Sequence, residues 1–135
     1  MITGVNHVTL AVRSLDRALA FYVGLLGLRR RARSHKTAHL QAGEMWIALV
    51  EDAATRSGPL PEYTHLAFTV STDALAAMRD RLIEAGVGQW QENATEGASL
   101  YIVDPDGHKL ELHASDLEAR LAWIRDHGGS EWEVG

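Results

Sequence analysis

The stretch Asn6-His7-Val8-Thr9-Leu10-Ala11-Val12 returns in the second half of the chain as Thr64-His65-Leu66-Ala67-Phe68-Thr69-Val70. An internal repeat constrains the fold more tightly than a single motif, because whatever the first copy builds the second must build again. In the first copy Val8, Leu10 and Val12 fall on one face of an extended chain and His7, Thr9 and Ala11 on the other, the alternation of a half-buried strand. The second copy keeps the same phase, with Leu66, Phe68 and Val70 on its apolar side. Each copy is a strand that opens with a histidine.

The segments after the two strands also correspond. Ser14 reads as a helix N-cap with Asp16 in the first turn, and Leu15, Ala18, Leu19, Tyr22, Leu25 and Leu26 recur at helical spacing until Gly27. Strands are expected over 28–34, 37–42 and 44–50, the last with Trp46, Ala48 and Val50 on one face. The second half offers a helix from about Asp73 to Ala85, a strand over 87–92, a loop over 93–98 and a hairpin of 99–103 with 109–113 about Asp104-Pro105-Asp106-Gly107. Ser57-Gly58-Pro59-Leu60-Pro61 marks a linker between the halves. A closing helix is expected from Ser115, with Glu118 completing a capping box, and a loose glycine-rich tail after His127. The expected fold is α+β: two βαβββ modules with sheets curled around a shared metal cleft. The first module spans 1–52, the linker 53–62, the second module 63–114, and the C-terminal helix and tail 115–135.

At 135 residues the chain is one domain's worth of material and can bury a core without staples. It has no cysteine, which excludes disulfides and denies it a thiol nucleophile of its own. A formal net charge of −5 argues against nucleic-acid binding, which needs a basic stripe. Arg29-Arg30-Arg31-Ala32-Arg33 is the one basic cluster, expected to follow a helix, cap its dipole and face solvent. Neither a leader nor a membrane span is visible, so a soluble cytoplasmic protein is expected.

The chemistry concentrates on the non-helix side of the sheets. His7 and His65 point away from the apolar rows, and Leu110 and Leu112, by taking the helix-facing side, turn Glu111 to the same side together with Lys109 and His113. Two imidazoles and a carboxylate from three strands suit Mn, Fe, Co, Ni or Zn. Aligning the repeats puts Ala48 where a second carboxylate could have stood, which leaves one position open for water or substrate. Thr9 and Tyr101 offer hydroxyls that could reach a ligand on the metal, and Trp46 could wall a pocket. His113 is a candidate partner for a metal ligand. His35, His39, His108 and His127 read as surface, and Glu44, at a turn, carries no catalytic role.

The paired βαβββ pattern resembles the vicinal oxygen chelate superfamily, which includes glyoxalase I, extradiol dioxygenases and bleomycin-resistance proteins. Leu10-Ala11-Val12, Phe21-Tyr22, Tyr63-Thr64-His65, Ser99-Leu100-Tyr101 and Asp104-Pro105-Asp106-Gly107-His108-Lys109-Leu110-Glu111-Leu112-His113 resemble more narrowly the fosfomycin-resistance thiol transferases. That resemblance implies a Mn(II)-dependent, K⁺-stimulated enzyme adding glutathione to the epoxide of fosfomycin, as a homodimer whose sites each take residues from both chains. It makes His7, His65 and Glu111 the metal ligands, puts Thr9, Tyr101 and Arg120 on the substrate, and makes Asn93, Thr95, Gly97 and Ser99 a K⁺ loop. Trp46, Tyr63, Gln91 and Thr95 would line the substrate pocket, Gln91 standing where the family has a lysine. Two other readings stay open: another enzyme of the superfamily, a lyase, isomerase or dioxygenase on a small anion, and a drug-binding resistance protein without metal.

Overall fold

The computed structural model describes residues 1–93 and 97–135 and contains two four-stranded sheets, of strand order β1-β4-β3-β2 and β5-β8-β7-β6. The strands are β1 (His7–Val12), β2 (Arg29–Arg33), β3 (Thr37–Ala42), β4 (Met45–Glu51), β5 (Leu66–Thr69), β6 (Gln89–Gln91), β7 (Ser99–Val103) and β8 (Lys109–His113). The α-helices are α1 (Leu15–Leu19), α2 (Thr72–Glu84) and α3 (Leu117–His127). This is the α+β architecture expected from the repeat. None of the helices among the described residues is long and apolar enough to cross a membrane. The chain divides into two compact units, Met1–Tyr63 with Val103–His108, and Thr64–Ile102 with Lys109–Gly135.

In the first unit β1 runs parallel to β4, which pairs antiparallel with β3 and β3 with β2. One face of this sheet sends Val12, Ala38, Leu40, Ile47 and Leu49 into a core completed by Leu15, Ala18, Phe21 and Tyr22. Ser14 caps α1 as expected, its Oγ accepting from the Arg17 amide at 3.2 Å. The helix does not continue at 3.6 residues per turn: Ala20–Leu25 is a π-helical turn, closed by the Leu26 amide on the Phe21 carbonyl at 2.9 Å. Phe21, absent from the apolar row read from the sequence, is buried in this turn beside Tyr22. The arginine run forms edge strand β2 and does not cap the helix. All of it is exposed, and Arg33 pairs with Asp16 at 2.6 Å. Charge on an unpaired edge discourages pairing with another chain.

The hairpin tip at 103–108 packs within this unit. Asp104 accepts the Tyr22 phenol at 2.6 Å through one oxygen and the Asp106 and His108 amides at 2.9 and 2.8 Å through the other. Burial, and then the charge of Asp104, push the Tyr22 phenol well above its ordinary pKa, so it stays a donor. Asp106 accepts the Arg13 amide and the Arg17 guanidinium at 3.1 and 2.8 Å. His108, expected at the surface, is buried, and its Nε2–H donates to the Ala11 carbonyl at 2.7 Å. Gly107 sits at φ +90°, and a Cβ there would collide with the Gly58 and Pro59 backbone, so only glycine fits.

The second unit repeats the scheme with β5 parallel to β8. Leu100, Ile102, Leu110 and Leu112 pack with Leu75 and Leu82 of α2 to form its core. Ser71 caps α2 by accepting the Ala74 amide at 3.1 Å. The closing helix starts later than expected: Asp116 caps α3, its carboxylate accepting the Ala119 amide at 2.8 Å. A carboxylate at that position also meets the positive end of the helix dipole, which a Ser115 hydroxyl would not. Beyond His127 the chain forms a further turn at Gly129–Glu131, where looseness was expected.

Candidate metal centre

Period-two alternation puts Glu111 on the side of β8 opposite Leu110 and Leu112, and the carboxylate is buried with three polar partners. His65, just before β5 instead of inside it, brings Nε2 to 3.1 Å from Glu111 Oε1. The other oxygen, Oε2, accepts the Ser99 hydroxyl at 2.5 Å and lies 3.1 Å from His113 Nδ1. Ser99 has one proton, given to Glu111, so its oxygen accepts Nδ1–H of His113 at 2.6 Å. Glu111 is thereby held from one side by Ser99 and His113 while Oε1 faces His65. The 3.1 Å between His65 Nε2 and Glu111 Oε1 is a hydrogen-bond distance, and it also fits two ligands at right angles on one ion at about 2.1 Å, which stand about 3 Å apart.

Aromatic rings close around His65. Trp90 and Tyr101 lie 5.2 and 6.2 Å away, ring to ring, and 5.1 Å from each other. Trp90 is fixed by its indole N–H on the Leu110 carbonyl at 2.9 Å, and the Lys109 ammonium stands 5.2 Å over its ring. Gln91 is aligned with Tyr101 across the β6–β7 pair. Asn93 donates to the Gly97 carbonyl at 2.9 Å. Thr95 lies outside the described residues. Gly97, at φ +77°, has no room for a Cβ because Ser115 and the His113 ring crowd it. Arg120 is half-buried on α3.

The first unit holds His7, Thr9, Trp46 and Tyr63. His7 is exposed at the start of β1, aligned with Trp46 of β4, and the two rings stack at 4.2 Å. Its Nδ1 lies 2.7 Å from the Asn6 side-chain oxygen, an acceptor. Nδ1–H therefore donates, which leaves the Nε2 lone pair for a metal, the usual division of labour in a ligating histidine. Thr9 is exposed next to buried Ala48, its partner across the strand pair. Trp46 donates its indole N–H to His39 Nδ1 at 3.1 Å. His39, expected at the surface, is half-buried there and helps line an open pocket of about 410 Å³ with Arg31, Gln41, Glu44 and Trp46. Tyr63 is exposed. Among the described residues no group of three His, Asp or Glu side chains is assembled as a metal cage.

Sequence reasoning overlooked the Ser99–Glu111 bond and the role of His39. The first had a signal in the spacing of the hairpin, since Ser99 and His113 stand at the open end of the same two strands. The second had none, because it depends on which way the Trp46 indole turns.

The sequence pattern of the Glyoxalase/Bleomycin resistance protein/Dioxygenase superfamily matches residues 4–112. The glutathione transferase FosA of Serratia marcescens is 46% identical over 128 residues, covering 93% of this chain and 91% of that protein. The metallothiol transferase FosB of Shouchella clausii is 38% identical, covering 90% and 87%. Among solved structures, a variant of the fosfomycin resistance protein FosX of Listeria monocytogenes, complexed with Mn(II) and 1S,2S-dihydroxypropylphosphonic acid, superimposes with a TM-score of 0.78. It is 31% identical, covering 94% of this chain and 100% of that one.

Proposed function

The chain belongs to the Glyoxalase/Bleomycin resistance protein/Dioxygenase superfamily and, within it, to the fosfomycin-resistance enzymes, and from that premise we propose that it is a Mn(II)-dependent transferase that opens the epoxide of fosfomycin with glutathione. The observation that carries the proposal is the His65–Glu111 pair, spaced at 3.1 Å as adjacent donors and braced by Ser99 and His113. His65 and Glu111 hold the metal with His7, whose Nε2 lone pair is available, in a homodimer whose sites each take residues from both chains. When bound, the metal supplies Lewis acidity toward the epoxide oxygen.

The chain's own residues do the rest. Thr9 and Tyr101 contact the phosphonate or epoxide oxygen, and Arg120 binds the phosphonate as a charge-assisted donor. Trp46, Tyr63, Gln91 and Thr95 line the pocket, and Asn93, Thr95, Gly97 and Ser99 form a K⁺ loop. With no cysteine in the chain, the nucleophile is an external thiol. Its sulfur bonds to an epoxide carbon, the bond from that carbon to oxygen breaks with the pair staying on oxygen, and the thiol proton ends on the new hydroxyl.

A second reading has one specific support: the diol phosphonate bound to the related FosX points to water as a rival nucleophile. Purified protein incubated with fosfomycin, glutathione and Mn(II) separates the two by mass spectrometry. The glutathione adduct is expected; the diol alone would transfer the role to water. No product above background, unchanged in His65→Ala, would remove both.

A further inference from the structure

We propose that Lys109 sets the charge selectivity of the candidate site: its ammonium, seated over the Trp90 ring, favours a doubly charged anion over a singly charged one of the same shape. The inference rests on the fosfomycin reading, whose substrate carries a phosphonate, and deepens it by naming a residue which that reading leaves unused. Lys109 opens β8, and period-two alternation puts it on the same side of that strand as Glu111. It is half-buried, and it is the one lysine or arginine on the four strands of the second sheet. Trp90 fixes where that charge stands. Its indole N–H is tied to the carbonyl of Leu110, the next residue along β8, and the ammonium lies 5.2 Å from the centre of the ring. The same ring lies 5.2 Å from His65 and 5.1 Å from Tyr101. Lys109 and His65 therefore share one aromatic neighbour. The ammonium stands beside the candidate metal donors without being one, since it has no lone pair to give.

A charge in that place acts through space. Its attraction for an anion at the site doubles when the anion carries two charges instead of one, and the same charge repels a metal dication. A lysine whose only task is to cover the Trp90 ring would do so with its methylenes and would have neither effect. Selectivity for a dianion, together with a small penalty on metal binding, is thus the signature that separates the two roles.

Two unreactive ions of one tetrahedral shape test the assignment without catalysis: methylphosphonate, a dianion at mildly alkaline pH, and methanesulfonate, a monoanion. In calorimetric titration of Mn(II)-loaded protein, Lys109→Met, which keeps an apolar stem over Trp90, should weaken methylphosphonate binding roughly tenfold, the scale of one charge-assisted contact. The preference for methylphosphonate over methanesulfonate should shrink roughly threefold, because the monoanion loses half as much binding energy. Lys109→Arg should restore methylphosphonate binding to near the wild-type value. Mn(II) affinity, titrated separately, should hold or rise in Lys109→Met. In turnover that variant should raise KM for fosfomycin roughly tenfold and leave KM for glutathione unchanged. Unaltered methylphosphonate affinity, equal loss for both ions, no rescue by arginine, a fall in Mn(II) affinity, or no methylphosphonate binding to wild type overturns the assignment. If the ions behave as stated but fosfomycin and glutathione form no adduct, the role of Lys109 stands and the transferase reading fails; if adduct forms and neither methylphosphonate affinity nor KM moves, the reverse holds.

Discussion

The two units are built on one register and diverge on one face. Thr9 pairs with Ala48 across β1 and β4 as Ala67 pairs with Glu111 across β5 and β8, so a methyl group and a buried carboxylate occupy the same place in the two sheets. Their helix-facing sides remained alike, with Leu49 and Leu112 buried in equivalent rows. The open sides took different work. One fixes Glu111 against His65 with Ser99 and His113, and the other carries the His7–Trp46–His39 row and a cavity with charges of both signs. A repeat thus preserves what packs and frees what does not.

That comparison can be broken at several depths. The largest effect should come from the shared side: Ile47→Ala and Leu110→Ala, both fully buried, should each cost about 2–5 kcal/mol in urea denaturation. If one is tolerated, the units are not equivalent cores. On the side that differs, Glu111→Gln should lower Mn(II) affinity about a hundredfold or more by calorimetry, while Ala48→Ser in the other unit should leave it unchanged. Ser99→Ala keeps both donors and loosens one, so metal affinity should drop about tenfold, and an unchanged value would mean Glu111 needs no brace. In the first unit the Tyr22 phenol has a raised pKa, so its stabilising contribution is complete below its ordinary value of 10.0 and is lost as pH climbs above it. Wild type should lose more stability than Tyr22→Phe between neutral pH and strongly alkaline pH. The smallest effect belongs to the exposed Arg33–Asp16 pair, where Arg33→Ala should change stability by less than about 1 kcal/mol.

Alternation and repetition made the architecture legible, because a strand with one apolar face has only one way to bury it, and both histidine-headed strands announced theirs. The same alternation turned Glu111 away from Leu110 and Leu112. Contacts that depend on rotamers were not legible. His39 and His108 read as surface because neither lies in an apolar row, yet one is held by the Trp46 indole and the other by the Ala11 carbonyl. The π turn was hidden because one extra residue in a single turn leaves the apolar spacing of a six-residue segment close to that of a regular helix. Asp116 displaced Ser115 as cap because two good capping residues stood side by side, and spacing alone does not choose between them.

The six residues of the hairpin tip bear on whether either half can stand alone. A gene cut at the 53–62 linker would encode a first half in which the Tyr22 phenol meets no acceptor and Arg17 no carboxylate, since Asp104 and Asp106 lie beyond the cut. The second half would present two acidic side chains with nothing to receive them. Each half made alone would hold polar groups without their partners, at a cost of about 1–3 kcal/mol for each buried one, so the two modules depend on each other despite their likeness.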